Sequence, residues 1–223
     1  YGGVALDNDK QKALKDIRDN IEGLRTQFVD NLTASREQVF FYEKNEDYLR
    51  GIPKNLSEKL TAQARDRGYK RGFCVMADRK QVETVLKKSP YRDIRKKSWE
   101  LLRDATSSGV FDNSEIVKEI ICLRDEQARL LGADKYADLM LKSSMAKTPE
   151  NVTNFLDDLL DKGLTDAAKA QFKQMQDFAT RRDGVAQLNA WDMDFYAEEY
   201  NQDVKVKSPQ PRPSSSTHDN VSL

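Results

Sequence analysis

The fold class is indicated most clearly by residues 148–160, which have the sequence TPENVTNFLDDLL. Thr148 can cap the first turn of a helix, and Pro149 suits the first helical position. Apolar residues then recur three and four positions apart, which is the spacing of one helical face. They are Val152, Phe155, Leu156, Leu159 and Leu160. We expect this amphipathic face to be buried in the folded protein.

Capping signals of the same kind mark two helices upstream. Asp112 precedes Glu115 by three residues, which is the spacing of a capping box, and Gly132 supplies the left-handed residue that often ends a helix. Asp78 and Gln81 have the same spacing. The sequence therefore predicts a helix from each of these aspartates.

The amino-terminal region predicts one long helix, from about Asp9 to Tyr42. Its apolar residues also alternate three and four positions apart. They are Leu14, Ile17, Ile21, Leu24 and Phe28. Such a face fits a helix packed inside its own domain or a coiled coil that binds a partner. We favour the packed helix, because the pattern broadens at 39–42 instead of continuing as heptads.

These patterns together predict an all-α fold, a bundle of long amphipathic helices with at most one short extended segment, near 72–77. We divide the chain into an amino-terminal helical region, 1–108, a second helical region, 109–200, and a tail, 201–223. The tail is rich in Ser and Pro from residue 208, and such a composition predicts disorder.

Composition excludes several classes of partner. The chain has 37 basic and 37 acidic residues and therefore no net charge, which disfavours binding to nucleic acid. No apolar run is long enough to cross a membrane. Cys74 and Cys122 both lie in apolar segments, so we expect two buried free thiols and a cytoplasmic, reducing compartment.

Two clusters of charged residues are candidates for chemistry. Carboxylates cluster at Asp192, Asp194 and the Glu198-Glu199 pair, and the densest basic stretch, 87–97, includes Arg92 and Arg95. No imidazole or thiolate accompanies the carboxylates, so we interpret them as a solvated helix start. We interpret the basic stretch as the solvent-facing side of a helix. No residue is assigned to catalysis, to a cofactor or to a metal.

Several short signatures between residues 109 and 199 occur in an order and spacing that resemble the thimet oligopeptidase family of zinc metallopeptidases. They are Asp112-Asn113-Ser114-Glu115, Leu123-Arg124, Leu130-Leu131-Gly132, Tyr136-Ala137, Met145-Ala146, Phe155-Leu156, and Trp191-Asp192 with Phe195-Tyr196. Beyond Tyr200 we see no resemblance.

The resemblance implies one lobe of a mostly helical, two-lobed fold around a deep channel. It also implies hydrolysis of peptide bonds in short oligopeptides by water that one zinc ion activates. In the family the zinc-binding His-Glu-x-x-His helix lies downstream of the Trp-Asp signature, whereas this chain has a single histidine, His218, in its tail. We therefore transfer no catalytic residue.

We expect the chain to be a truncated piece of such a peptidase, because it also lacks an initiator Met. It should bind no zinc and be inactive alone. Its expected partners are short peptides, as substrates of the full-length enzyme, and the missing catalytic lobe. The alternative is a non-catalytic helical module that binds a partner through the helix at 9–42.

Overall fold

The computed structural model describes residue 3 and residues 5–207, with side chains described as far as Val204. The α-helices of this part are α1 (Asn8–Gln38), α2 (Lys54–Asp66), α3 (Arg79–Lys88), α4 (Arg92–Asp104), α5 (Ser114–Leu130), α6 (Tyr136–Leu141), α7 (Pro149–Leu159), α8 (Thr165–Asp183) and α9 (Met193–Lys207). A π-helical turn, Leu160–Leu164, joins α7 to α8. The all-α fold class is therefore confirmed. Among the described helices, none combines the length and the apolar content that a membrane-spanning segment requires.

The predicted extended segment near 72–77 is present as β2 (Phe73–Met76), but it is not the single one. A second strand, β1 (Phe40–Glu43), pairs with it antiparallel, with Phe41 opposite Val75. The helix expected to reach Tyr42 therefore ends at Gln38. Consecutive β-branched and aromatic residues favour a strand once a partner strand is available, and the partner residues lie 30 to 36 positions further along the chain.

The main core lies between the two-stranded sheet, α2, α3 and α4. Each element contributes side chains that are 0–1% exposed, such as Leu60 from α2, Val75 from β2, Val82 from α3 and Ile94 from α4. Burying an aliphatic side chain of this size contributes about 1.5–3 kcal/mol relative to leaving it exposed. This core fixes the position of α4, on which the site described below depends.

The apolar face of α1 packs along α5, so the interpretation of α1 as a packed helix is confirmed. Leu14, Ile17 and Ile21 are buried there. The side-chain amide of Asn31 donates to Asn113 Oδ1 at 2.9 Å, which ties the two helices together through polar groups.

The predicted helix starts hold to within one residue. The Gln81 backbone N–H donates to Asp78 Oδ1 at 3.0 Å, so Asp78 caps α3 as expected. The cap of α5 is Asn113 instead of Asp112, whose carboxylate accepts from the Ser114 N–H at 2.8 Å. Thr148 caps α7 by accepting from the N–H of the third residue beyond it.

The burial expected for the apolar face of α7 is wrong. Phe155, Leu156 and Leu160 are 62%, 52% and 53% exposed. The helix lies mainly against its sequence neighbours, α6 and the π-helical turn, so nothing in the described part covers this face. Cys74 is buried as expected, but Cys122 is exposed because it lies on the solvent side of α5.

Residues 201–207 of the predicted tail are helical, because α9 continues through them. The rest of the tail, 208–223 with His218, lies outside the described residues. The division at residue 108 stays a prediction. Helices from both sides of it are in contact, α1 with α5 and α3 with α9.

Candidate functional site: a buried arginine–aspartate junction beside an apolar groove

Asp192 is the most enclosed charged residue among those described. It ends a short 3-10 turn immediately before α9, and its side chain is 0% exposed. Its carboxylate accepts from Arg92 Nη2 at 2.8 Å, from Arg95 Nη2 at 2.8 Å and from the Asn189 backbone N–H at 3.0 Å. The carboxylate therefore connects the start of α9 to α4.

The two arginines differ in their environment. Arg95 is 1% exposed, whereas Arg92 is 42% exposed and can reach water. Arg95 Nη1 also donates to the Ser89 carbonyl at 2.9 Å, and the guanidinium carbon lies 4.4 Å from the ring centroid of Phe195. The Nε of Arg95 is buried without a hydrogen-bond partner. The charge of Arg95 is thus neutralised mainly by Asp192.

The electrostatics keep both the buried carboxylate and the neighbouring phenol in their ordinary protonation states. Burial by itself raises the pKa of Asp192, but the hydrogen bonds from Arg92 and Arg95 outweigh it and hold the pKa below its ordinary value. Burial and a hydrogen bond to Asp183 raise the pKa of Tyr196 to about 12. Near neutral pH the carboxylate stays ionised and the phenol stays neutral, so neither group exchanges a proton easily.

Two further ion pairs extend the junction along α9. Lys88 Nζ donates to Glu198 at 2.8 Å, which joins the end of α3 to α9. Arg182 pairs with Glu199, which joins α8 to α9. The junction therefore holds α9 against α3, α4 and α8 together.

The structure corrects the interpretation of both charged clusters. Arg92 and Arg95 do not belong to a purely solvated helix face, and Asp192 is not part of a solvated helix start. Asp194 alone among the named carboxylates is exposed as expected. The Trp191-Asp192 signature was the available clue, since an aspartate beside aromatic residues is compatible with a buried ion pair, but sequence alone gave no partner for it.

An apolar groove of about 1150 Å3 opens beside the junction, between the π-helical turn, α8 and α9. Its apolar lining consists of Leu160, Leu164, Ala168, Phe172, Met175, Met193, Ala197 and Tyr200. Gly163 allows the bend that forms one end of the groove, because its φ of 85° lies in the left-handed region that favours glycine.

The residues that the structure describes do not fit a zinc site. Within the described part of the chain, no group of three or more His, Cys, Asp or Glu side chains could hold a metal ion. Structural and catalytic zinc sites take three or four such ligands. His218 lies outside this part and cannot be placed.

The chain belongs to peptidase family M3, whose sequence profile matches residues 85–222. The matched range includes the arginine–aspartate junction and the groove. The resemblance inferred from the signatures is thereby confirmed at the level of the family.

Named relatives agree with the family. Oligopeptidase A from Haemophilus influenzae is 28% identical over 208 residues, which cover 90% of this chain and 30% of the relative. Oligopeptidase A from Escherichia coli is 27% identical over 217 residues, which cover 95% and 32%. A probable cytosolic oligopeptidase A from Arabidopsis thaliana is 25% identical over 205 residues, which cover 88% and 29%. The chain thus spans about a third of the length of these relatives.

Proposed function

We propose that this chain is a non-catalytic helical part of a zinc metallo-oligopeptidase, and that it is inactive alone. The longer enzyme would hydrolyse peptide bonds in short peptides. The observation that carries the proposal is the family match over 85–222 in a stretch whose described residues lack a metal-binding group. We assign the zinc ion and the water it activates to segments outside this chain.

The arginine–aspartate junction gives this part a structural role in the proposed enzyme. Asp192 fixes the start of α9 on α4, and α4 is fixed in turn by the main core. A chain that continues beyond α9 would therefore leave from a defined position. Enzymes depend on such rigid supports, because catalytic groups must be held to within a fraction of an ångström.

The alternative function, partner binding through α1, has less support. The apolar residues Leu14, Ile17 and Ile21 of α1 are already buried, and α1 packs along α5. A coiled-coil partner would have to displace α5 to reach them. The balance of 37 basic and 37 acidic residues likewise favours neither nucleic acid nor a membrane surface as partner.

We place the enzyme in the cytoplasm as part of the same proposal. Cys74 and Cys122 are unpaired, as is usual for proteins of a reducing compartment, and one of the relatives is named a probable cytosolic oligopeptidase A.

The test is zinc-dependent hydrolysis of a quenched short peptide. Purified residues 1–223 should give no turnover with or without added zinc. Chelator-sensitive turnover should arise when the chain is co-expressed with the rest of its longer polypeptide. The Asp194→Asn chain, altered at an exposed carboxylate, should support the same turnover as the unaltered chain. Chelator-sensitive hydrolysis by the chain alone would show the proposal to be wrong.

A further inference from the structure

The segment from α7 to α8 exposes an apolar face that the described residues leave uncovered. We call this the α7–α8 face and define it by Phe155, Leu156, Leu160, Leu164 and Phe172. These side chains are between 43% and 62% exposed. The 11-residue helix α7 has no buried residue. A helix of that length is marginal in water without tertiary packing, so the face is expected to require a covering surface.

Exposed apolar side chains are not spread evenly over the protein. Of the large exposed apolar side chains in the described part, only Val29 and Tyr69 lie outside the family-matched range 85–222. The region before residue 85 therefore exposes few large apolar side chains, whereas the family-matched region exposes most of them. Clustered apolar exposure of this kind marks an interaction surface.

The shape of the surface fits a helix. The α7–α8 face runs into the groove between α8 and α9, with Met175 and Met193 among its lining residues. A groove between two packed helices accepts the ridge of a third, as in helical bundles. Lys169 lies on the lining and is exposed, which favours a carboxylate on the helix that docks there.

We infer that the α7–α8 face docks an amphipathic helix supplied by the rest of the longer peptidase chain. The relatives extend well beyond the matched third of their length, so most of such a chain lies outside the structure. The groove that this helix would fill lies within the family-matched range, 85–222. This inference rests on the proposed function and names the surface through which the two parts of the enzyme associate.

The test is the reactivity of single thiols toward a maleimide. Cys122 is exposed, so the starting chain carries Cys122→Ser, while the buried Cys74 is retained. Leu160→Cys places a thiol on the α7–α8 face, and Asp161→Cys places a control thiol on the neighbouring exposed position. Both positions are solvent-exposed, so both variants should fold.

Each chain is labelled alone and after co-purification with the rest of its longer polypeptide. Labelling of the Leu160→Cys thiol should slow at least about tenfold in the complex, because modification then requires local opening. The Asp161→Cys thiol should react at the same rate in both states. In addition, Phe172→Asp should abolish the association, since it places a charge in the apolar contact.

The outcomes separate this inference from the proposed function. Protection without zinc-dependent hydrolysis supports the docking face and contradicts the proposed function. Hydrolysis in a complex whose Leu160→Cys thiol stays reactive contradicts the docking face alone. Failure of the two parts to associate overturns the inference. Protection in the chain alone, together with sedimentation as a dimer, also overturns it, because a second copy would then be the occupant.

Discussion

Replacing Asp192 by Asn should destabilise the folded chain strongly. The substitution keeps the size of the side chain but removes its charge and turns an amide group toward the guanidinium donors. Arg92 is 42% exposed and can be solvated by water instead, so the loss of its ion pair with residue 192 costs little. Arg95 is 1% exposed and would be left as a buried charge without its counterion. Breaking such a pair costs about 3–5 kcal/mol, a large share of a typical stability of about 5–15 kcal/mol.

The assay is urea unfolding followed by circular dichroism. Asp194→Asn is the matched control, because Asp194 is exposed two residues away, and it should change the free energy of unfolding by less than about 0.5 kcal/mol. The double variant Asp192→Leu with Arg95→Met removes both buried charges and should recover most of the loss. A deficit of about 1 kcal/mol should remain, because the Asn189 N–H loses its acceptor.

The effect also has a predictable pH dependence. The pKa of Asp192 is lower in the folded state than the ordinary 3.8, so its stabilisation is present above that value and is lost as the pH falls through the folded pKa. The difference in stability between the natural chain and Asp192→Asn should be constant above about pH 5 and shrink below about pH 4. A cost for Asp192→Asn below about 1 kcal/mol, or a double variant as unstable as the single one, would refute a dependence on the buried charge.

Three further outcomes are expected. The pKa of Tyr196 is raised to about 12, so its neutral form stabilises the fold at pH values below the ordinary tyrosine pKa, and this stabilisation is lost as the pH rises through the folded pKa. In an ultraviolet titration, Tyr196→Phe should remove the phenol that ionises at a higher pH than an ordinary tyrosine. Phe155→Ala should change the unfolding midpoint very little, whereas Phe195→Ala, at a side chain 5% exposed, should cost about 3–5 kcal/mol; equal costs would contradict the assignment of the α7–α8 face. Gly72→Ala should be more destabilising than Gly68→Ala in the same assay, because both glycines have φ of +84° to +88° but an added methyl group meets the backbone of β1 only at Gly72.

Local sequence was sufficient where the physical cause is local. Thr148 and Pro149 start α7 because capping and a fixed φ act within one turn, and Gly132 follows the end of α5 because its left-handed conformation is intrinsic to glycine. The apolar spacing of α1 predicted its packed face. The order of the short signatures over residues 109–199 was sufficient to place the chain in its family.

Only the tertiary structure decided features that depend on residues distant in sequence. Arg95 and Asp192 are 97 positions apart, and each looks solvent-facing until the other is brought within 2.8 Å. Phe40–Glu43 form a strand because β2 provides hydrogen-bond partners that the neighbouring residues do not. Phe155 has the spacing of a core residue, yet its exposure depends on whether another surface covers it. Periodicity defines which residues share a face, but burial is set by what packs against that face.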